Sequence, residues 1–201
     1  MLQDGTFLAG AKINEMPLAT RLGVSRTVLR EAIRRLETSE LVHIVPNRGV
    51  FVRQVGFREM LNLFDIHAGL ARTAGRLLGE RIDDGQVARL EGCLVQMRQA
   101  AKHGAVASYR DLNAAFHHDL FAFTGNARLV SMHAAIVAEL QLSRRRNLAH
   151  PAQLRASLSE HARILDAVRA RDPGRAARAF EQHVLAGKRR TTDTAASDPA
   201  D

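Results

Sequence analysis

Several polar side chains fall on apolar helical faces where a core is expected. Asn113 and His117, spaced i and i+4, project to one side of a stretch whose apolar face is Tyr109, Leu112, Phe116, Leu120 and Phe123. His161 lies inside the stripe Leu158, Leu165 and Val168, and His183 inside that of Ala176, Phe180, Val184 and Gly187. Imidazoles suit Zn, Ni, Cu and Fe, and bundle cores are usual places for such centres. A single histidine on an apolar face is more often a core residue satisfied by one hydrogen bond. Three of them on separate helices, with an amide oxygen one turn away, point instead to convergence on a divalent metal, zinc first. His67 and His133 also sit on apolar faces and compete for the same role. His118 points elsewhere, and His43, His103 and His150 read as solvated.

A metal alone does not make an enzyme. A hydrolytic zinc site wants a neighbouring carboxylate base, as in His-Glu-x-x-His, and that spacing is absent from the chain. Gly-x-Ser-x-Gly, a phosphate loop and a dinucleotide fingerprint are also absent. Glu160, beside His161, is expected to point off the metal face. No catalytic set is therefore assigned. A metal-dependent enzyme on a helical bundle is the first alternative, and a metal-free sensor with structural histidines the second.

The other chemistry is cationic. From Ser25 to Glu37, at 100° per residue, Val28, Leu29, Ala32, Ile33 and Leu36 share an arc of roughly 140°, leaving Arg26, Thr27, Arg30, Arg34 and Arg35 outside it. Such a helix docks on a core and still offers guanidinium groups outward. Ser25 is placed to cap its first free amides. A short helix from Glu15 to Leu22, with Leu18, Ala19 and Leu22 facing inward, precedes it across Gly23-Val24, which makes a helix-turn-helix. Beyond Leu41 the period changes to alternation: Val42, Ile44, Val50 and Val52 point one way around Pro46-Asn47-Arg48-Gly49, a hairpin with Arg48 at its tip. A hairpin directly after a recognition helix is the wing of a winged helix.

The elements behind these residues are mostly α. Residues 1–55 are expected to form the winged helix-turn-helix and 57–190 an all-helical bundle, with helices near 57–80, 84–103, 106–124, 127–147, 152–171 and 173–189. The first dozen residues show little periodicity, and 191–201, rich in Thr, Ala, Ser, Asp and Pro, are expected to be disordered. The net charge of +8 favours an anionic partner, and nucleic acid over a membrane because no segment reaches spanning length. No Trp and one Tyr leave few aromatics for stacking on unpaired bases, so double-stranded DNA is preferred. The single cysteine, Cys93, forms no internal disulfide, and the first residues lack a signal-peptide pattern, so a cytoplasmic location is expected.

With these residues in view, positions 5–190 resemble a GntR-family transcription regulator of the FadR-like subfamily with a C-terminal FCD ligand-binding domain. Leu18-Ala19, Leu22 through Thr27, Arg30-Glu31-Ala32, Leu36-Glu37, Leu41-Val42 and Arg48 through Val52 are similar to the family's DNA-binding signature. Asn113-x-x-Phe116-His117, Thr124-Gly125-Asn126, Glu160-His161, Ile164 through Ala167 and Asp172 through His183 are similar to the FCD pattern. The resemblance implies a homodimeric repressor on an inverted-repeat operator, with a small carboxylate metabolite as effector. It implies DNA contacts from Ser25, Arg26, Thr27, Arg30, Arg35, Arg48 and Gly49. The family's metal ligands carry over onto Asn113, His117, His161 and His183, and the effector's carboxylate completes the metal's shell. Effector candidates are His67, Arg72 and the run Arg144, Arg145 and Arg146. His67 and Ala71 stand where Arg and Glu are frequent, Val28 where Pro or Thr is usual, and Met16 where many relatives carry a basic residue. Asn113 replaces the commoner aspartate as a neutral, weaker ligand. The family pattern also begins upstream of Met1, which implies a first helix preceding this sequence.

Overall fold

The computed structural model describes residues 7–143 and 151–197, with backbone only at 143, 151 and 194–197. The chain divides into two compact units, one of Met1–Met60 with Ala134–Arg145 and one of Leu61–His133 with Arg146–Asp201.

In the first unit β1 (Lys12–Ile13), α1 (Glu15–Leu22), α2 (Arg26–Thr38), β2 (Val42–Val45) and β3 (Gly49–Val52) follow in order. Gly23 ends α1 in the left-handed region at φ 65°, a conformation glycine adopts without penalty, and Val24 N–H reaches back to Ala19 O at 3.1 Å. Ser25 then caps α2, its Oγ accepting from Val28 N–H at 3.3 Å. The strands form an antiparallel sheet in the order β1-β3-β2, with Val42 opposite Val52 and Ile44 opposite Val50. Pro46 and positive-φ Asn47 (60°) fill the middle of the turn closed by Arg48 N–H to Val45 O at 3.0 Å.

Four details depart from the sequence reading. β1 was not foreseen: two residues are too few for a period, yet Ile13 is buried on β3. The apolar arc of α2 is narrower than its composition, since Leu29 and Ile33 are buried and Leu36 is half-buried, whereas Val28 is 56% exposed and Ala32 is also exposed. Leu22 and Ile44 likewise face outward. The small sheet and eight-residue α1 offer a core wide enough for Ile13, Ala19, Leu29, Ile33, Val42, Val50 and Val52, and no wider. The C-terminal part of α6 (Ala127–Ser143) also belongs to this unit and not to the bundle as expected: Leu142 packs on that core, and Arg53 donates to Glu139 at 2.9 Å and contacts Glu40 and Glu59.

The second unit is helical: α3 (Phe57–Arg81), α4 (Asp84–Lys102), α5 (Val106–Ala122), α6, α7 (Pro151–Arg169) and α8 (Pro173–Ser197). Three of the helix starts have a local cause. Asp83 and Gln86 form a reciprocal capping box before α4, Asn126 Oδ1 accepts from Leu129 N–H before α6, and Asp172 Oδ1 accepts from Arg175 N–H before α8, with Pro173 in its first turn. The disorder expected over 191–201 does not hold for 191–197, since α8 continues to Ser197; 198–201 lie outside the described residues. Thr191 is buried and its Oγ1 donates to Gly187 O at 3.0 Å, so a composition typical of loops is recruited by packing.

α3 and α8 touch through glycine. A Cβ at Gly75 would lie 2.4 Å from Ala176 O, and one at Gly79 2.6 Å from Pro173 Cα, both backbone atoms that cannot swing away. Gly79→Ala is therefore expected to cost about 1–3 kcal/mol through forced backbone displacement. Gly92→Ala, at an open mid-helix position of α4, is expected to stabilise by roughly 0.5–1 kcal/mol. Urea denaturation of the two variants checks the opposite signs.

Candidate metal centre and DNA-facing helix

α5, α7 and α8 each place one imidazole at a common point. His117, His161 and His183 have ligand atoms all within 4.8 Å of one another. His117 Nε2 stands 3.2 Å from His161 Nε2 and 3.1 Å from His183 Nε2. His161 is fully enclosed, His183 is 8% exposed and His117 is half-buried. Phe116 packs on His161 with ring centroids 4.9 Å apart, and Phe180 on His117 at 5.9 Å, which gives the cluster apolar walls.

Protons do not satisfy this arrangement well. A neutral imidazole nitrogen is either one donor or one in-plane acceptor, so His117 Nε2 cannot make two good bonds at once. A cation about 2.0–2.1 Å from each nitrogen would set tetrahedral or octahedral N···N separations of roughly 2.9–3.4 Å, a span that includes the two separations from His117 Nε2. Burial, followed by the neighbouring His183, pushes His117 well below its ordinary pKa, and burial and His183 do the same for His161. Both rings are thus neutral near pH 7, the form that binds metal. The Nδ1 atoms of His117 and His161 have no hydrogen-bond partner among the described residues.

His183 is held from behind. Its Nδ1 meets Glu160 Oε2 at 2.7 Å, and Arg190 grips both Glu160 oxygens at 2.6 and 3.1 Å. Nδ1 donates to Glu160, so in the neutral form of His183 the Nε2 lone pair faces the cluster. Burial raises the Glu160 carboxyl, but the bonds from His183 and Arg190 and their charges bring it to about 2. Glu160 does point away from the ligand atoms, as its spacing suggested. Its role in orienting His183 lay beyond the sequence reading, because the contact crosses from α7 to α8. Arg190, seven residues after His183 on one face of α8, was marked only by that periodicity.

The rival pair forms a group of its own. His67 Nε2 meets His133 Nδ1 at 3.0 Å, both rings buried. Phe121, one turn beyond His117, stacks on His133 at 3.8 Å. Burial and then His118 push His133 down to about 4. Asn113 is half-buried one turn before His117. Arg72 does not join either group: it is 57% exposed and paired with Glu181 at 2.6 Å, because its face of α3 is turned to solvent. Arg144, Arg145 and Arg146 lie outside the described residues, as does His150.

On α2, Arg26, Thr27, Arg30 and Arg35 are all exposed, and Arg48 is exposed on the hairpin turn. Arg30 Nε donates to Glu15 at 2.8 Å across α1 and α2, and Arg35 Nε to Glu31 at 3.3 Å along the helix. Ser25 is engaged in the cap, and Gly49 begins β3 at φ 110°.

The fold is that of a two-part protein, a winged helix-turn-helix followed by a helical bundle. Residues 1–52 match the gntR family of bacterial regulatory proteins and 62–186 match the FCD domain. The chain belongs to the GntR family and carries an FCD domain, a family of transcriptional regulators and not of enzymes. It is 31% identical over 138 residues to the Nta operon transcriptional regulator of Aminobacter aminovorans, covering 69% of this chain and 65% of that one. It is 29% identical to the uncharacterized HTH-type transcriptional regulator YdhC of Bacillus subtilis, covering 92% and 82%. It is 27% identical to a probable D-xylose utilization operon transcriptional repressor of Paenarthrobacter nicotinovorans, covering 92% and 81%. The fold is that of E. coli McbR/YncC, with a TM-score of 0.83 at 22% identity over 96% of this chain and 92% of that one. Among the described residues no helix is long and apolar enough to cross a membrane.

Two outcomes follow for the helical unit. Glu160→Gln is expected to weaken zinc binding about 10–100-fold, the usual cost of losing an orienting carboxylate behind a ligating histidine, as read by competition with a chromophoric chelator. Acidification is expected to destabilise the metal-free protein. In the folded chain His117, His161 and His133 stay neutral while their unfolded counterparts take up protons near 6.5, so stability rises with pH across that window and falls as pH drops below it. Thermal midpoints between pH 7.5 and 5 check the sign.

Proposed function

We propose that this protein is a ligand-responsive DNA-binding repressor that acts as a homodimer on an inverted-repeat operator in the cytoplasm. Residues 1–55 form the DNA-reading part and 57–190 the sensing and dimerisation part. The observation that carries the reading is the joint presence of an arginine-faced α2 in a winged helix-turn-helix and a three-histidine cluster within a helical FCD domain.

Arg26, Thr27 and Arg30 face the major groove from the first turns of α2, with Ser25, Arg35, Arg48 and Gly49 toward phosphates and the wing side. Arg30 reaches DNA with its terminal nitrogens while Glu15 holds its Nε. In the helical domain His117, His161 and His183 fit a divalent cation, zinc by donor type, and Asn113, one turn before His117, is the fourth donor in this proposal. When bound, that ion supplies a Lewis-acidic seat for the carboxylate of a small metabolite. Glu160 and Arg190 keep His183 aimed, Phe116 and Phe180 exclude water, and His67 lies within reach of the ligand's far end. Ligand binding biases the placement of the DNA-reading helices, and the coupling is reciprocal by thermodynamic necessity.

Arg26→Ala is expected to lose about 1–3 kcal/mol of operator binding, the range for an arginine–base contact. The measurement is fluorescence anisotropy on an operator selected in vitro from random duplexes. An unchanged affinity would remove Arg26 from the interface, and failure to select any duplex would overturn the DNA-binding reading.

A further inference from the structure

We infer that Val28 is a specificity residue of the DNA-reading helix, and that its methyl groups meet the 5-methyl group of a thymine in each half of the operator. This rests on the DNA-binding reading above and names a base that the arginines do not account for.

The exposed side of α2 carries two chemistries. Arg26, Arg30 and Arg34, spaced by four, form one flank, and Val28 with Ala32, also spaced by four, forms the other, with Thr27 and Glu31 between them. All of these residues are exposed. Leu29 and Ile33, at 5% and 3% exposure, close the core side of the helix without Val28, which stands 56% exposed. A lone exposed valine is ordinary on a protein surface. This one occupies the first turn of α2, between the capping Ser25 and Arg30, at the end of the helix that meets base edges when such a helix enters the major groove.

Val28 is also held in place. Its N–H donates to Ser25 Oγ at 3.3 Å, which fixes the backbone of that turn, and a β-branched side chain in a helix keeps essentially one χ1 rotamer. Its methyl groups are therefore set before any partner arrives. They have nothing to offer a phosphate. Among the groups on the major-groove edges of the base pairs, the thymine 5-methyl is the apolar one, and the rest are hydrogen-bond donors and acceptors that valine cannot serve. A polar edge pressed against Val28 would lose its water with no bond in return, whereas a thymine methyl gains by leaving water. The arginine flank suits acceptors such as those of guanine, and the valine flank selects against them at the neighbouring position.

The test uses the full chain and an operator selected in vitro from random duplexes. Each thymine, together with its counterpart in the other half-site, is replaced by deoxyuridine, which keeps base pairing and removes the methyl group alone. Affinity is read by fluorescence anisotropy. Burying one methyl is worth about fourfold in affinity, so losing the pair of methyls that Val28 meets is expected to weaken the native chain about fifteenfold. Val28→Ala is expected to bind the unmodified operator more weakly and to respond to that same replacement by less than about twofold, since the two changes remove one shared contact. A native chain indifferent to every replacement, or a Val28→Ala protein as sensitive as the native one at every thymine, overturns the inference. A chain that selects no duplex removes the DNA-binding reading itself, which is a separate failure.

Discussion

Three imidazole nitrogens meet at separations of 3.1 and 3.2 Å in the interior of the second unit, and the structure around them is arranged so that they do. Each comes from a different helix, so α5, α7 and α8 must hold their mutual register to a fraction of an ångström. That register is fixed by packing which tolerates little change. Gly75 and Gly79 let the start of α8 lie directly on α3, and Glu160 with Arg190 ties α7 to α8 behind His183. The price of keeping His117 and His161 unprotonated side by side is met by contacts made elsewhere in the bundle.

The same site explains why the polar residues of this interior are graded. Glu160 and Arg190 form a charged pair that is fully engaged, whereas His117 and His161 are kept neutral by burial. The pair lies outside the three-histidine cluster and the neutral rings lie within it. Such an interior leaves imidazole lone pairs at the cluster while its own charges cancel. The second histidine group, His67 with His133, sits one turn of α5 away and is internally bonded, so the two groups are chemically distinct although both look alike as lone histidines on apolar stripes.

In the winged helix the order of dependence runs the other way. There the core is small, and the exposed chemistry is set by what the core does not cover. Leu29 and Ile33 anchor α2, which leaves Arg26, Thr27 and Arg30 on the surface, and Ser25 fixes where the helix begins. Glu15 bonding Arg30 across α1 and α2 fixes the spread of the guanidinium groups before any partner arrives. α6 enters this unit as well, through Leu142 on the core and Glu139 on Arg53. Nothing in the local pattern of residues 134–143 marks them as part of a unit whose other members end at Met60.

Periodicity alone determined the helices, because apolar spacing and caps such as Asp83, Asn126 and Asp172 act within a few residues. It also determined that His161 and His183 face inward, since each lies in its own helix's apolar stripe, and that His117 sits at the edge of its stripe. The exposed side of α2 was legible for the arginines but not for Val28 and Ala32, whose burial depends on how much neighbour is present and not on their hydrophobicity. The two-residue strand at Ile13, the helical state of 191–197 and the Glu160–Arg190 support needed partners distant in sequence. Which inward histidines meet was decided only by tertiary structure. Five candidates were equivalent on their helices, and the axial shift and rotation of each helix against its neighbours, set by side-chain volume and glycine contacts, sorted them into a trio and a pair.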